Sequence, residues 1–301
     1  MIQAVDAYLA LRRTAGFELT NARYLLRSFA RFAAERHETH IRTTTAIEWA
    51  SRSGSIAQRD ERLKTVCRFA RHLHADDLGH DVPPGDHFGF RKSRRVPHIY
   101  SPSEIDRLIA AALELGPPDT LKPQTYATLI ALLAATGLRI SEALALACSD
   151  VTPTGLLIRN TKFHKTRLVP LHDTAVAGLQ RYLRRRRRTS VRAEAVFVDD
   201  AGRPLRYQRV HSTFRKLVNT AGIVPSGRRP TRLHELRHTF AVRALEASPA
   251  GRQRVGQHML ALATYMGHVN ISATYWYLET TAELLRDIAT AGETFLHGEP
   301  A

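Results

Sequence analysis

The sequence predicts a mainly α-helical protein of two domains, with a small β-hairpin or sheet in the second. Three observations carry this. Apolar residues recur at helical spacing through residues 1–80. A Pro- and Gly-bearing stretch at 81–97 interrupts them. Helical periodicity then resumes, broken by two short alternating runs that flank the polar segment 161–166.

Val5, Leu9 and Leu11 lead a first amphipathic segment that ends near Gly16. Thr20 reads as the N-cap of a longer helix. That helix has Leu25, Leu26, Phe29, Phe32 and Ala33 on one face and Arg23, Arg27 and Arg31 on the other. Thr45–Ser51 reads as a short helix, and 58–74 as a fourth. The fourth turns Leu63, Val66, Cys67, Ala70 and Leu73 inward and Arg59, Arg62, Lys64, Arg68 and Arg71 outward. Four helices with basic faces can lie against a phosphate backbone. For any single one of these cations, a solvated face is the plainer reading.

Pro83, Pro84, Gly85, Gly89 and Pro97 forbid a continuous helix, and the basic cluster Arg91, Lys92, Arg94 and Arg95 lies among them. The expected organisation is a helical domain at 1–82, a basic linker at 83–97 and a second domain at 98–301.

In that second domain, Ser101-Pro102-Ser103-Glu104 starts a helix with proline just inside it. A buried helix over 123–136 stops at Gly137, and another begins at Ser141–Ala147. Leu156–Arg159 and Arg167–Leu171 read as a hairpin. Val196–Val198, with the turn Asp200-Ala201-Gly202, reads as a third strand. The rest looks helical to near residue 290. The run Arg184–Arg188 either follows a nucleic-acid backbone or caps a helix C-terminus.

Of the 301 residues, 44 are Lys or Arg and 28 Asp or Glu, for a net charge of +16 and a pI near 10.6. The excess is spread: 17 basic and 11 acidic residues in 1–96, 27 and 17 in the remainder. Both parts are cationic, which suits a protein that surrounds a polyanion. Two cysteines, Cys67 and Cys148, exclude a disulfide framework. The most apolar stretch, Leu129–Leu138, is too short to span a membrane, and no signal-peptide pattern opens the chain. A cytosolic protein is expected.

Residues 234–238, His-Glu-Leu-Arg-His, satisfy the H-E-x-x-H pattern of zinc metallopeptidases. A third ligand is missing at the spacing such sites use, and Arg237 would bring a permanent cation between the two ligands. The same segment also reads as a phosphate-handling pair. His234 and Arg237 share a helix face, and Arg offers a fork of donors to phosphate oxygens. Three further segments extend this second reading. Gly137-Leu138-Arg139-Ile140-Ser141-Glu142 places an Arg after a glycine turn. Lys162 stands in the proposed hairpin loop before Arg167-Leu168-Val169-Pro170. Met266-Gly267-His268 is followed nine residues later by Tyr277.

Four motifs in this order resemble the tyrosine recombinases, the phage-integrase family, over the whole chain. The resemblance implies that Arg139, Lys162, His234, Arg237, His268 and Tyr277 are catalytic and that Glu142 supports them. Tyr277 matches the nucleophile. His268 either supports Tyr277 or bonds the phosphate directly, and Lys165 competes with Lys162 for the hairpin lysine's role. The implied architecture is a two-domain DNA clamp, a helical core-binding domain plus a catalytic domain. Arg59, Arg62, Arg91, Lys92, Arg94, Arg95 and Lys165 are its candidate DNA contacts. The implied partners are double-stranded DNA with specific sites, further copies of the chain (a dimer on one site, a tetramer in the synapse) and accessory recombination proteins. The tail 279–301, with Leu284, Leu285, Ile288 and Phe295, either packs on a neighbouring protomer or folds back. The chain opens directly on the core-binding segment, so an extra arm-binding domain is not expected. The Tyr275-Trp276-Tyr277-Leu278 context resembles integrases carried by transposons.

The chemistry requires these residue types. In-line attack on a phosphodiester builds negative charge on its non-bridging oxygens, which two arginines can stabilise. No metal and no cofactor are then expected. A phenol with a pKa of about 10 needs a base or nearby cations to become a nucleophile. A lysine still charged at pH 7 can protonate the leaving 5′-oxygen. Exchanging one ester for another stores the energy needed for resealing, so no ATP is required. The rival readings are a type IB topoisomerase, which shares the chemistry but relaxes supercoils, and, more remotely, the zinc peptidase.

Overall fold

The computed structural model describes residues 1–91, 96–117, 119–159, 166–189, 193–225, 230–247 and 252–267, the last of these as backbone alone up to 256. The chain divides into two compact units, residues 1–94 and 95–301.

The first unit is a four-helix cluster: α1 (Ile2–Thr14), α2 (Thr20–Ala34), α3 (Thr43–Ser51) and α4 (Ile56–Asp76). Its core gathers Val5, Leu9, Leu26, Phe29, Trp49, Leu63, Val66 and Phe69. Ser55 caps α4 by accepting the Gln58 amide. Two readings of the sequence are corrected. Leu11 is exposed, because it lies two residues past Leu9, about 200° around the helix and on the face away from Val5 and Leu9. Thr20 is the first helical residue rather than the cap. Leu19 takes the boundary position in a left-handed conformation, and no side chain caps the helix.

The end of α4 is tied back to the α2–α3 connection. His80 Nδ1 accepts the Ile41 amide at 3.1 Å, and Asp81 accepts the Thr43 amide at 2.9 Å. His40 and Asp77 meet at 3.0 Å beside it. Among the described residues, His40, Asp77 and His80 are the one trio of ligand-type side chains within reach of a single ion. The Ile41 bond, however, fixes the neutral His80 ring with its proton on Nε2, the nitrogen that faces Asp77. The trio is a structural clasp.

The second unit is built around α6 (Lys122–Thr136), which is buried nearly all round. It packs against α5 (Pro102–Leu113), α8 (Asp173–Arg187) and α10 (His234–Glu246). Ser101 and Glu104 form a capping box at the start of α5, with Pro102 at its first position. Gly137 ends α6 in the left-handed region at φ 60°. The short α7 (Ile140–Ala145) follows. Then comes a three-stranded antiparallel sheet, β1 (Val151–Thr152), β2 (Gly155–Ile158) and β3 (Arg167–Val169), in the order β1-β2-β3. Ile158 pairs with Arg167, so the expected hairpin is present. α9 (Tyr207–Thr220) and α11 (Arg252–Met266) complete the described elements.

The expected third strand at 196–198 is not one. Val196, Phe197 and Val198 are fully buried, but their backbones pair singly on both sides. Val196 donates to Leu146, and Phe197 accepts from Leu205. The run is apolar because it fills the core, not because it joins a ladder. The turn after it is as read: Asp199 accepts the amides of Ala201 and Arg203. The arginine run closes α8, where four of its members occupy the last turn at the negative end of the helix dipole. Arg186 is 5% exposed and donates to the carbonyls of Ala193 and Ala195, pinning the entry to the buried run.

Candidate active site

The site forms where the C-terminus of α11 meets the starts of α7 and α10. A helix leaves its last carbonyls without intrahelical donors. Here three arginines from three other elements supply them. Arg167, at the start of β3, donates from Nε to the Tyr265 carbonyl at 2.9 Å. Arg237, in the first turn of α10, donates from Nη2 to the Met266 carbonyl at 2.7 Å and from Nη1 to the Gly137 carbonyl at 2.6 Å. Arg139, at the N-cap of α7, donates to the Gly267 carbonyl at 3.0 Å and to that of Met266 at 3.5 Å. The carbonyls carry the negative end of the helix dipole, which offsets the repulsion among three clustered cations.

Glu142 supplies the counter-charge. Its Oε1 accepts from Arg139 Nη1 at 2.8 Å and Arg167 Nη1 at 3.0 Å. Its Oε2 accepts the Arg139 amide and Arg167 Nη2, each at 2.9 Å. Burial raises the Glu142 carboxyl, but the bonds from Arg167 and Arg139 outweigh it and bring the pKa down to about 2. Glu142 is therefore a fixed anion that orients cations, not a proton carrier.

The two arginines named from the sequence differ in exposure. Arg237 is 2% exposed, whereas the Arg139 side chain keeps 33% of its surface open. His234 opens α10 on the same side. Its ring is solvent-accessible at the mouth of the site, yet protein crowds it enough to lower its pKa, with Arg237, Arg139 and Arg232 adding to the effect. A neutral imidazole among guanidiniums can accept a proton.

Among the described residues, the zinc-peptidase geometry is not assembled. The His234 and His238 rings meet edge to face at 4.7 Å, and the Glu235 carboxylate accepts the Arg232 amide at the head of α10. Among the described residues no third ligand-type side chain joins these two histidines within reach of one ion.

Arg139, Glu142, His234 and Arg237 are thus brought together by the fold. Lys162, Lys165, His268, Tyr277, Lys92, Arg94, Arg95 and the tail 279–301 lie outside the described residues. Lys162 and Lys165 belong to the connection between the paired residues Ile158 and Arg167, and His268 directly follows Gly267. In the first unit, Arg62 lies over the Trp49 ring at 4.0 Å and Arg59 donates to the Ser53 carbonyl at 2.8 Å, so each already has a packing role. Arg91 is exposed. Sequence reasoning missed Arg167 as a member of the site. The Arg-Leu-Val-Pro run reads from the sequence as a hairpin strand and as a landmark for the lysine before it, not as part of the site.

Comparison with known proteins gives this arrangement its class. Residues 100–283 match the phage integrase family. The integrase/recombinase y4rB of Sinorhizobium fredii is 38% identical over 297 residues, 95% of this chain and 94% of that protein. The tyrosine recombinase XerD of Rhizobium meliloti is 28% identical, covering 90% of this chain and 85% of that one. Among solved structures, a lambda integrase dimer bound to a core site superposes with a TM-score of 0.63 at 17% identity, covering 94% and 96% of the two chains. The Tn1549 transposon integrase in complex with transposon right end DNA does so at 0.63 and 18%, covering 96% and 99%. The chain belongs to the phage integrase family and is a DNA strand-transferring enzyme of the tyrosine recombinase class. Among the described residues, no helix is long and apolar enough to cross a membrane.

Proposed function

We propose that this enzyme cleaves and rejoins DNA at specific sites through a 3′-phosphotyrosyl intermediate formed by Tyr277. The Tyr277 oxygen attacks the scissile phosphorus in line and its proton passes to His234. The bond from phosphorus to the 5′-oxygen breaks, and Lys162 protonates that oxygen. Arg139 and Arg237 hold the non-bridging oxygens as charge builds on them. The step reverses when the 5′-hydroxyl of a partner strand attacks the phosphotyrosine, so no ATP and no metal enter. His268, which follows the carbonyls that hold both arginines, acts beside them or beside Tyr277. Residues 1–82 form the core-binding domain, 83–97 a basic linker and 98–301 the catalytic domain. The charge of +16, spread over both, supports a DNA clamp. The chain works as a dimer on one site and a tetramer in the synapse, in the cytoplasm, as the recombinase of a mobile element.

The observation that carries this reading is the convergence of Arg139 and Arg237 on the carbonyl end of α11, next to the segment bearing His268 and Tyr277. A suicide substrate, nicked so that the cleaved 5′ end diffuses away, tests it. Tyr277→Phe abolishes covalent attachment and leaves DNA binding nearly intact, while Tyr275→Phe keeps substantial cleavage. The reverse pattern moves the nucleophile to Tyr275.

A further inference from the structure

We propose that Arg167 is a positioning residue of the strand-transfer site, acting through Glu142 to keep Arg139 oriented and to leave a net positive charge facing the phosphate. This rests on the reading of Arg139 as a phosphate ligand.

The geometry assigns Arg167 no substrate contact of its own. Its side chain is 13% exposed, and all three of its nitrogens are committed, Nη1 and Nη2 to the two oxygens of Glu142 and Nε to the Tyr265 carbonyl. The two-pronged bond fixes the plane of the carboxylate. Glu142 in turn holds Arg139 by side chain and backbone. The guanidinium of Arg167 also lies flat against Gly267. A Cβ at Gly267 would stand 2.8 Å from Nη1, so the glycine is what lets the arginine reach its place. Arg167, itself in β3, therefore links that strand to Glu142 of α7 and the end of α11. It is the one arginine of the cluster on the strand that returns from the connection carrying Lys162.

Charge gives the arrangement its purpose. Arg139 and Glu142 alone would form a neutral pair, and a phosphate gaining negative charge would draw little net attraction from that pair. With Arg167 on the far side of the carboxylate, the trio carries one net positive charge. The exposed member is Arg139. Arg167 offsets the Glu142 charge that Arg139 also contacts, so the net positive charge of the trio is not cancelled at its exposed member.

The test is single-turnover cleavage of a suicide substrate at saturating DNA, with DNA affinity measured alongside. Arg167→Met slows cleavage about 10–100-fold, the range typical of residues that orient a catalytic cation, and changes affinity by less than about 3-fold. Arg167→Lys, which keeps the charge but not the fork, falls between. The decisive comparison adds Glu142→Gln. If Arg167 serves to offset the Glu142 charge, the double variant Arg167→Met with Glu142→Gln cleaves faster than Arg167→Met alone. A purely structural role gives the opposite, a double variant slower than either single one. Cleavage by Arg167→Met within about 3-fold of the parent, or the additive double loss, overturns the proposal. Should Arg167→Met fail to fold by circular dichroism, Arg167→Lys with and without Glu142→Gln carries the same comparison. Arg139→Ala is the control. If it cleaves normally, the reading of Arg139 itself has failed. If it is inactive while Arg167→Met is normal, only the present inference has.

Discussion

Arg139 and Arg237 donate to one and the same acceptor, the carbonyl oxygen of Met266, at 3.5 and 2.7 Å. Two cations far apart in sequence are thus set at a fixed spacing by a single backbone atom. Gly137 fixes the other end. Its carbonyl takes the second prong of Arg237, and its left-handed turn delivers the chain to Arg139 two residues on. The pair Arg139 and Arg237 is therefore organised by main-chain geometry at two helix ends.

Gly137→Ala tests that organisation. An L-residue at φ 60° costs about 1–2 kcal/mol by itself. The added Cβ would also sit 2.5 Å from Cδ1 of Phe240 and 3.2 Å from Sδ of Met266, the residue whose carbonyl holds both arginines. The expected result is a lower melting temperature together with a loss of cleavage larger than the loss of folded protein explains. A variant that melts lower but cleaves at full rate per folded molecule would show that the turn serves stability alone.

Much of this was legible in the sequence, and the misses share a cause. Helical spacing gave the four helices of the first unit. Ser101 to Glu104 announced a capping box, and the runs around 161–166 gave the hairpin. Motifs mark side-chain types, so they single out Arg139, His234 and Arg237, which the fold brings near one another. What the motifs cannot mark is a backbone carbonyl, since every residue has one. Only the end of α11 decides that those of Tyr265, Met266 and Gly267 are available. Arg167 escaped for the same reason: its partners, Glu142 and Tyr265, come from two distant helices. Val196–Val198 misled because a buried irregular run and a buried strand have the same composition.

His234 sets a pH dependence. Partial desolvation and the neighbouring arginines lower its pKa, so the neutral ring persists to more acid pH than in an ordinary histidine. If neutral His234 takes the tyrosine proton, single-turnover cleavage falls on the acid side with a midpoint below about 6.5. The limb disappears in His234→Gln, whose residual rate is flat over the same range. A midpoint above the ordinary histidine value would contradict the assignment.

The His-Glu-Leu-Arg-His segment yields a separate test of metal use. Purified enzyme is expected to cleave and rejoin in EDTA, and elemental analysis to find no stoichiometric zinc. His238→Ala is milder in cleavage than His234→Ala, because His238 is buried and packs against the His234 ring rather than opening to solvent as His234 does. Equal loss in both variants, recovered by added zinc, would restore the peptidase-like ligand pair.

Lys162 carries the last prediction. Its proposed task is to protonate the 5′-oxygen as that atom departs, a task that exists only because an alkoxide is a poor leaving group. Sulfur at the 5′-bridging position leaves as a thiolate instead. Its conjugate acid, taken as similar to a cysteine thiol, has a pKa of about 8.5, which makes protonation far less necessary. Lys162→Ala is therefore badly impaired on ordinary DNA and largely rescued on the sulfur substrate. Arg139→Ala and Arg237→Ala gain much less, because they act on the non-bridging oxygens, which the substitution leaves unchanged. Lys165→Ala is mildly defective on both substrates, as a backbone contact would be. If Lys165→Ala shows the selective rescue instead, the general acid stands three residues further along the connection between Ile158 and Arg167. If neither variant is rescued, the hairpin lysine acts in binding and the leaving oxygen takes its proton from another group.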